Sequence, residues 1–353
     1  MHFRAIGTST PAARYTKAQC LEAFERSAWF SRLEPRAHWV ARKVLQHDNG
    51  IEARRLALES LEDVFAIDPN TLSARYLRHA PVLGSAAAQR ALDAAALTPQ
   101  HIDAVVVSTC TGYLCPGLSG YMVERLGLRA DVQAYDLVGQ GCAAAVPNLQ
   151  LCRSLLLAGS ATHVLSICVE VSSAAMYLDN DPGVMISACL FGDGAGAAVL
   201  SRDPLPGARP VEWIDAASWT DPLRRQALMF EQRDGMLRNI LTRAVPALAA
   251  QHARAIVDRV LGRAGLGIAD VRQWILHAGG RDVLLALAQA LELDVGSFGY
   301  SAAMLREYGN LSSAFVYFVL EAALADNAAG GWWWLSSFGA GFSCHGALLR
   351  VRG

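Results

Sequence analysis

Three residues of this chain have types and settings suited to acyl-transfer chemistry. Cys142 follows Gly139-Gln140-Gly141 and opens an apolar stretch, 143–159. A cysteine at the start of a helix feels the positive end of the peptide dipole, which favours the thiolate and makes the sulfur a nucleophile. The glycines let the backbone turn sharply and let a substrate come close. His277 ends the strand-like Trp274-Ile275-Leu276 and precedes Ala278-Gly279-Gly280, a setting that faces an opening rather than packed core. Asn310 follows Gly309 and opens a second apolar stretch, 311–329. Each residue alone reads as ordinary core or cap. As a set they are chemically coherent: imidazolium would stabilise the thiolate, and imidazole and amide N–H groups would both donate to an oxyanion. That suits acyl transfer to the thiol and enolate formation on a second thioester.

Positioning these residues requires a particular arrangement of elements, and an internal duplication supplies it. Residues 95–108 and 264–277 both read as a helix end, a short loop and a buried strand ending in polar residues. Downstream, Gly141-Cys142 and Gly309-Asn310 precede the two apolar stretches at nearly the same offset, 168–169 residues. Strands at 164–168 and 332–336 follow, and each half closes on a Gly-rich hairpin, at 191–196 and 338–342. The first half carries an extra segment, 170–190. The expected fold is α/β: two related halves, 1–205 with the cysteine and 206–353 with the histidine and asparagine. Near-continuous apolar strands imply sheets covered on both faces. The two apolar stretches are expected as central helices buried all round. Pro147 falls beyond the first turn of a helix starting at Cys142, so a later start or a distorted entrance is expected there.

Composition narrows the function classes. The chain has 353 residues, 53% hydrophobic and 18% charged, with 31 basic and 32 acidic side chains and a formal charge of −1. Such a balance excludes both disorder and a surface built for nucleic acid. The apolar runs are far shorter than the ~20 residues of a membrane span, and no signal peptide is read at the N-terminus, so a cytoplasmic protein is expected. The eight cysteines include no Cys-x-x-Cys spacing, which argues against a zinc site or a disulfide framework. No metal is expected. The loop Gly192-Asp193-Gly194-Ala195-Gly196 lacks the Lys-Ser/Thr ending of a phosphate loop and reads as a tight hairpin. Gln140-Gly141-Cys142-Ala143 lacks the local sequence of papain-like proteases.

Four pieces in order, Gln140-Gly141-Cys142, Leu190-Phe191-Gly192-Asp193-Gly194-Ala195, His277-Ala278-Gly279-Gly280 and Tyr308-Gly309-Asn310-Leu311-Ser312-Ser313, resemble a type III polyketide synthase. This is the chalcone and stilbene synthase family of the thiolase superfamily, and the resemblance covers essentially the whole chain. It implies a five-layered αβαβα thiolase-like fold, a homodimer and a Cys142-His277-Asn310 triad. It implies no cofactor beyond coenzyme A thioesters as substrates: an acyl-CoA starter loaded on Cys142, decarboxylative extension with malonyl-CoA, and cyclisation to a pyrone or resorcinol-type product. Phe191 matches an aromatic gatekeeper. Cys110, Thr111, Cys115, Ala175, Ser312 and Phe338 are further substrate-binding candidates. Cys115 stands where plant members place a Met that crosses the dimer. Cys110, Ala175 and Asn239 replace larger cavity residues of plant members, so a roomier cavity and an aliphatic starter are expected. Arg42, Lys43, Arg54 and Arg55 are the basic residues nearest a coenzyme A mouth, although they read equally well as a solvated face. The alternatives are a single-step ketosynthase resembling 3-oxoacyl-carrier-protein synthase III and a non-catalytic acyl-carrier-binding partner. A degradative thiolase would need a second cysteine near the C-terminus, where Cys344 lies.

Overall fold

The computed structural model describes residues 1–352. The first part of the chain forms β1 (His2–Ser9), β2 (Arg14–Thr16), α1 (Lys17–Arg26), α2 (Ala28–Arg32), α3 (Pro35–Gln46), β3 (Ala53–Arg55) and α4 (Pro69–Ala94). Then come β4 (Ala104–Ser108), α5 (Leu118–Leu126), β5 (Gln133–Leu137), α6 (Ala145–Ala158), β6 (His163–Glu170), α7 (Pro182–Leu190) and β7 (Gly194–Ser201). The second part forms β8 (Val211–Thr220), β9 (Leu228–Arg233), β10 (Met236–Leu241), α8 (Val245–Ala264), β11 (Val271–Leu276), α9 (Arg281–Leu291) and α10 (Gly299–Tyr308). It ends with α11 (Phe315–Ala325), β12 (Gly331–Gly339) and β13 (Ser343–Val351).

The duplication is visible in the sheet. Strands β1-β7-β6-β4-β5 form one half and β8-β13-β12-β11 the other, joined where β1 pairs antiparallel with β8 at Phe3 and Val211. In both halves the first strand pairs antiparallel with the last, the last pairs antiparallel with its predecessor, and that predecessor runs parallel to the strand after the outer helix. The repeat is incomplete: β5 has no counterpart in the second half among the described residues. Strands β4 and β7 are buried along their whole length, as apolar runs in a doubly covered sheet must be. Helices α4 and α5 cover one outer face, α8 and α9 the other, and α6 and α11 lie between the half-sheets. The result is the α/β, five-layered thiolase-like architecture.

The two central helices differ. Residues Phe315 to Leu320 of α11 are all buried, as expected of a helix apolar all round. Helix α6 instead exposes a stripe through Gln150, Ser154 and Leu157, with Leu157 58% exposed. Its entrance resolves the difficulty posed by Pro147. A 3-10 turn spans Gly141–Ala143 and the α-helix starts only at Ala145, so Pro147 lies in its first turn, where a backbone N–H would be unpaired in any case.

The extra segment after β6 contains a 3-10 turn, Ser172–Ala175, and α7, whose C-cap residue is Phe191. Hairpin β9–β10 packs on α7. Its turn residues Asp234 (φ 52) and Gly235 (φ 75) both adopt positive φ, the left-handed pair that an Asp-Gly hairpin favours.

Candidate active site

Cys142 sits on the 3-10 turn ahead of α6, behind Gly141 at φ 54. The closing loop of the other half presses on this turn. A Cβ on Gly339 would lie 2.9 Å from the Cys142 amide nitrogen and 2.5 Å from that of Ala143. Ser337 Oγ donates to the Ala143 carbonyl at 2.8 Å. The backbone of Cys142 is therefore gripped by β12.

His277 follows β11, and its backbone N–H donates to Ser336 of β12 at 2.9 Å. Its ring meets Phe315 and Phe338 edge to face, with centroids 5.5 and 5.0 Å apart. Asn310 is tied to the segment around Phe191: its N–H donates to Leu190 O and its carbonyl accepts from Gly192 N–H, both at 3.0 Å. Its Nδ2 donates to Gly279 O at 3.3 Å, beside His277, and its Oδ1 accepts from Ser312 N–H at 2.8 Å. That last bond holds Ser312 at φ 51, a left-handed conformation costly for a residue with a Cβ. Asn310 is thus a turn-former rather than a helix cap; α11 is preceded by Ala314.

Cys142, His277 and Asn310 all line one chamber of about 1000 Å³, together with Phe191 and Phe338. Burial works against the expected ion pair. Burial pushes the Cys142 thiol up to about 12, only partly offset by its Ser312 hydrogen bond. Burial also lowers His277 to about 3, and neither ring nitrogen has a hydrogen-bond partner. The cause in both residues is desolvation, and no imidazole nitrogen is bonded to the sulfur.

The sequence reading missed Glu170. It ends the apolar strand β6 fully buried, and burial raises its carboxyl pKa. Cys110 N–H and Thr111 Oγ1 each donate to it at 3.0 Å, and Ser313 Oγ donates as well. The Ser312 hydroxyl lies 3.3 Å from Glu170 Oε1, from Cys142 Sγ and from Cys110 Sγ. A lone carboxylate closing an otherwise apolar strand was the available signal, since such a group is buried only with partners.

Ser312, Cys110, Thr111, Ala175 and Phe191 line a second cavity behind the chamber, with Asn239 and Phe230 from hairpin β9–β10. Its volume is only about 30 Å³, so the small residues at 110, 175 and 239 do not open a roomy space there. The hairpin fills it. More room, about 530 Å³, lies to the side, bounded by Cys110, Thr111, Tyr76, Gly141 and Phe230. Cys115 is exposed and lines none of these cavities. Of the basic candidates only Lys43 lines the chamber, together with Arg243 and with Arg281, which is paired with Asp48 at 2.9 Å. Arg42 pairs with Glu25, Arg55 with Glu307, and buried Arg54 donates to the carbonyls of Ala188 and Phe191. Cys344 is buried in β13, away from the chamber.

This geometry coincides with two family matches. The family described as FAE1/type III polyketide synthase-like protein matches residues 10–209, and the chalcone and stilbene synthase C-terminal domain matches 225–352. The chain belongs to the type III polyketide synthases. It is 31% identical over 351 residues to 1,3,6,8-tetrahydroxynaphthalene synthase of Streptomyces peucetius subsp. caesius, covering 98% of this chain and 92% of that one. It is 28% identical to 3,5-dihydroxyphenylacetyl-CoA synthase of Amycolatopsis balhimycina, covering 99% and 92%. The crystal structure of 1,3,6,8-tetrahydroxynaphthalene synthase from Streptomyces coelicolor A3(2) superposes with a TM-score of 0.90 at 25% identity over 100% of both chains. A type III polyketide synthase is a condensing acyltransferase, which sets aside the non-catalytic partner. No helix among the described residues of this synthase is long and apolar enough to cross a membrane.

Proposed function

We propose that this cytoplasmic synthase loads an acyl-CoA starter on Cys142, extends it with malonyl-CoA and cyclises the chain to a small pyrone or resorcinol-type ring. The observation that carries the reading is the meeting of Cys142, His277 and Asn310 in one chamber walled by Phe191 and Phe338, with Lys43 and Arg243 in its lining to receive phosphates. Neutral His277 acts as the base: it takes the thiol proton as Sγ attacks the starter carbonyl, and returns it to the departing coenzyme A sulfur. In extension, the malonyl thioester loses carbon dioxide while His277 N–H and Asn310 Nδ2 donate to the enolate oxygen. The enolate carbon then attacks the acyl group on Cys142 and frees the thiolate. Coenzyme A thioesters suffice, with no metal or redox cofactor.

A homodimer is part of this reading. Tyr113 (77% exposed) and Val138 (57% exposed) both border the side cavity and present apolar surface that a second copy would cover. Exposed Cys115 would reach a cavity only across such a contact. Light scattering on the eluting protein measures the mass. Mass spectrometry of products from malonyl-CoA with a panel of acyl-CoA starters tests the activity; release of only a single-condensation β-oxoacyl product would reject it.

A further inference from the structure

Two of the eight cysteines line the cavities of the site, and the fold brings their sulfurs to one hydroxyl. Cys142 Sγ and Cys110 Sγ each lie 3.3 Å from Ser312 Oγ, so the sulfurs are no farther apart than twice that distance. Cys142 lines the reaction chamber, and Cys110 borders the side cavity of about 530 Å³. The other six line neither: Cys20, Cys152, Cys168, Cys189 and Cys344 are buried, and Cys115 is exposed. Cys110 also has a proton acceptor beside it, because its Sγ lies 3.4 Å from both carboxyl oxygens of Glu170. Neither cysteine belongs to a strand or an α-helix: Cys110 lies two residues beyond β4, and Cys142 is on its 3-10 turn. That turn is held by β12, so the loop of Cys110 is the side with room to adjust.

We propose that Cys110 and Cys142 form a reversible modification site: a hydroperoxide entering the chamber joins them in a disulfide, which blocks acyl loading and spares Cys142 from irreversible oxidation. The loss of loading rests on the reading of Cys142 as the acyl carrier; the bond itself does not. With hydrogen peroxide, Cys142 Sγ attacks one oxygen, the O–O bond breaks and an S–O bond forms. His277 takes the thiol proton and returns it to the departing hydroxide as water, leaving Cys142 as the sulfenic acid. Cys110 Sγ then attacks the Cys142 sulfur, the S–O bond breaks and the S–S bond forms. Glu170 takes the Cys110 proton and passes it to the leaving hydroxide, which departs as a second water. Two thiols and one peroxide give one disulfide and two waters; each sulfur loses one electron and each peroxide oxygen gains one. The S–S bond is ~2.05 Å long, so the Ser312 hydroxyl gives up its contacts with both sulfurs as they close. Without Cys110 the sulfenic acid meets further peroxide and passes to sulfinic acid, which a dithiol does not reverse.

The test treats the native enzyme with hydrogen peroxide, alkylates it with iodoacetamide and digests it without reductant. Peptide mass spectrometry is expected to find the segments carrying Cys110 and Cys142 joined, with fragment ions placing the link on those two residues rather than on Cys115 or Cys152. A second readout is starter loading on Cys142 by intact mass, before oxidation, after it, and after dithiothreitol. Each protein is compared with its own untreated sample. The native enzyme is expected to lose loading and regain nearly all of it with dithiothreitol. Cys110→Ser is expected to regain little, with Cys142 heavier by the two oxygens of a sulfinic acid. Several results overturn the proposal: a link elsewhere, Cys142 oxidised in the native enzyme with Cys110 left free, or recovery in Cys110→Ser as full as in the native protein. Two free thiols after treatment that oxidises exposed Cys115 overturn it as well. If Cys110→Ser fails to fold, the peptide map of the native enzyme decides by itself. An enzyme that loads no starter before oxidation rejects the acyl-carrier reading instead, and the peptide map still decides the bond.

Discussion

Burial opposes charge on both Cys142 and His277. With the Cys142 thiol pushed up to about 12 and His277 down to about 3, a neutral pair is the expectation, and proton transfer would then accompany substrate attack. Iodoacetamide should therefore label Cys142 no faster at neutral pH than an ordinary thiol of pKa ~8.5, and His277→Ala should leave the labelling profile in place. Rapid labelling at pH 6 that disappears in His277→Ala would establish a resting ion pair instead. Asn310 has two jobs that substitution can separate. Asn310→Asp keeps the acceptor for Ser312 N–H and so the turn, but it loses the Nδ2 donor. Malonyl decarboxylation should fall about 100- to 1000-fold, the usual loss for one oxyanion donor, while intact-mass spectrometry still detects starter on Cys142. Asn310→Ala should lose both. Full decarboxylation by the Asp variant would leave Asn310 a purely structural residue.

At the scale of elements, the site depends on β12 meeting the turn before α6. Gly339→Ala places a methyl group 2.5 Å from the Ala143 nitrogen, and the surrounding atoms are backbone that cannot swing aside. We expect loss of Cys142 acylation together with a lowered melting temperature. Gly120 is the contrast: it is exposed, inside α5, and a Cβ there meets nothing within 4 Å. Gly120→Ala should stabilise the fold by about 0.5–1 kcal/mol through helix propensity, with activity retained. Urea titration of the two variants gives both signs; equal effects would mean that contact with the nucleophile turn is immaterial.

For the whole molecule, burial of neutral histidines sets the response to acid. Burial lowers His277 to about 3 and His345 to about 4. Unfolded, each takes a proton near pH ~6.5, so the unfolded state binds more protons. Stability is present in full above that pH and is lost as pH falls toward the folded values. Glu170 and Asp193, whose buried carboxyls are shifted up, act in the opposite sense and relieve the native state on protonation. His345 Nε2 is unpaired and the residue lies outside the chamber, so His345→Gln removes one such contribution without touching the site. Its melting temperature should fall less between pH 6.5 and 4 than that of the native protein. Parallel curves would show that His345 is protonated in the fold.

The sequence by itself determined the duplicated α/β layout, because apolar runs, Gly stops and their constant offset are local properties that burial enforces strand by strand. It also determined that Cys142, His277 and Asn310 share a face, since equivalent ends of equivalent elements must meet when two halves pack. Asp234-Gly235 announced a hairpin that went unread, and Glu170 at the end of an apolar strand announced a partnered carboxylate. Other features were decided only in three dimensions. Whether Cys142 and His277 ionise depends on the dielectric around them, and that is set by Phe315 and Phe338 from distant parts of the chain. How much space lies behind Phe191 depends on hairpin β9–β10 folding onto α7, which leaves a small cavity there rather than a roomy one. Which cations line the chamber is decided by packing: Arg42 and Arg55 pair with acids outside it, whereas Lys43, Arg243 and Arg281 line it, the last held by Asp48 at 2.9 Å. Residue types limit what chemistry is available, whereas solvation, volume and charge pairing belong to the assembled fold.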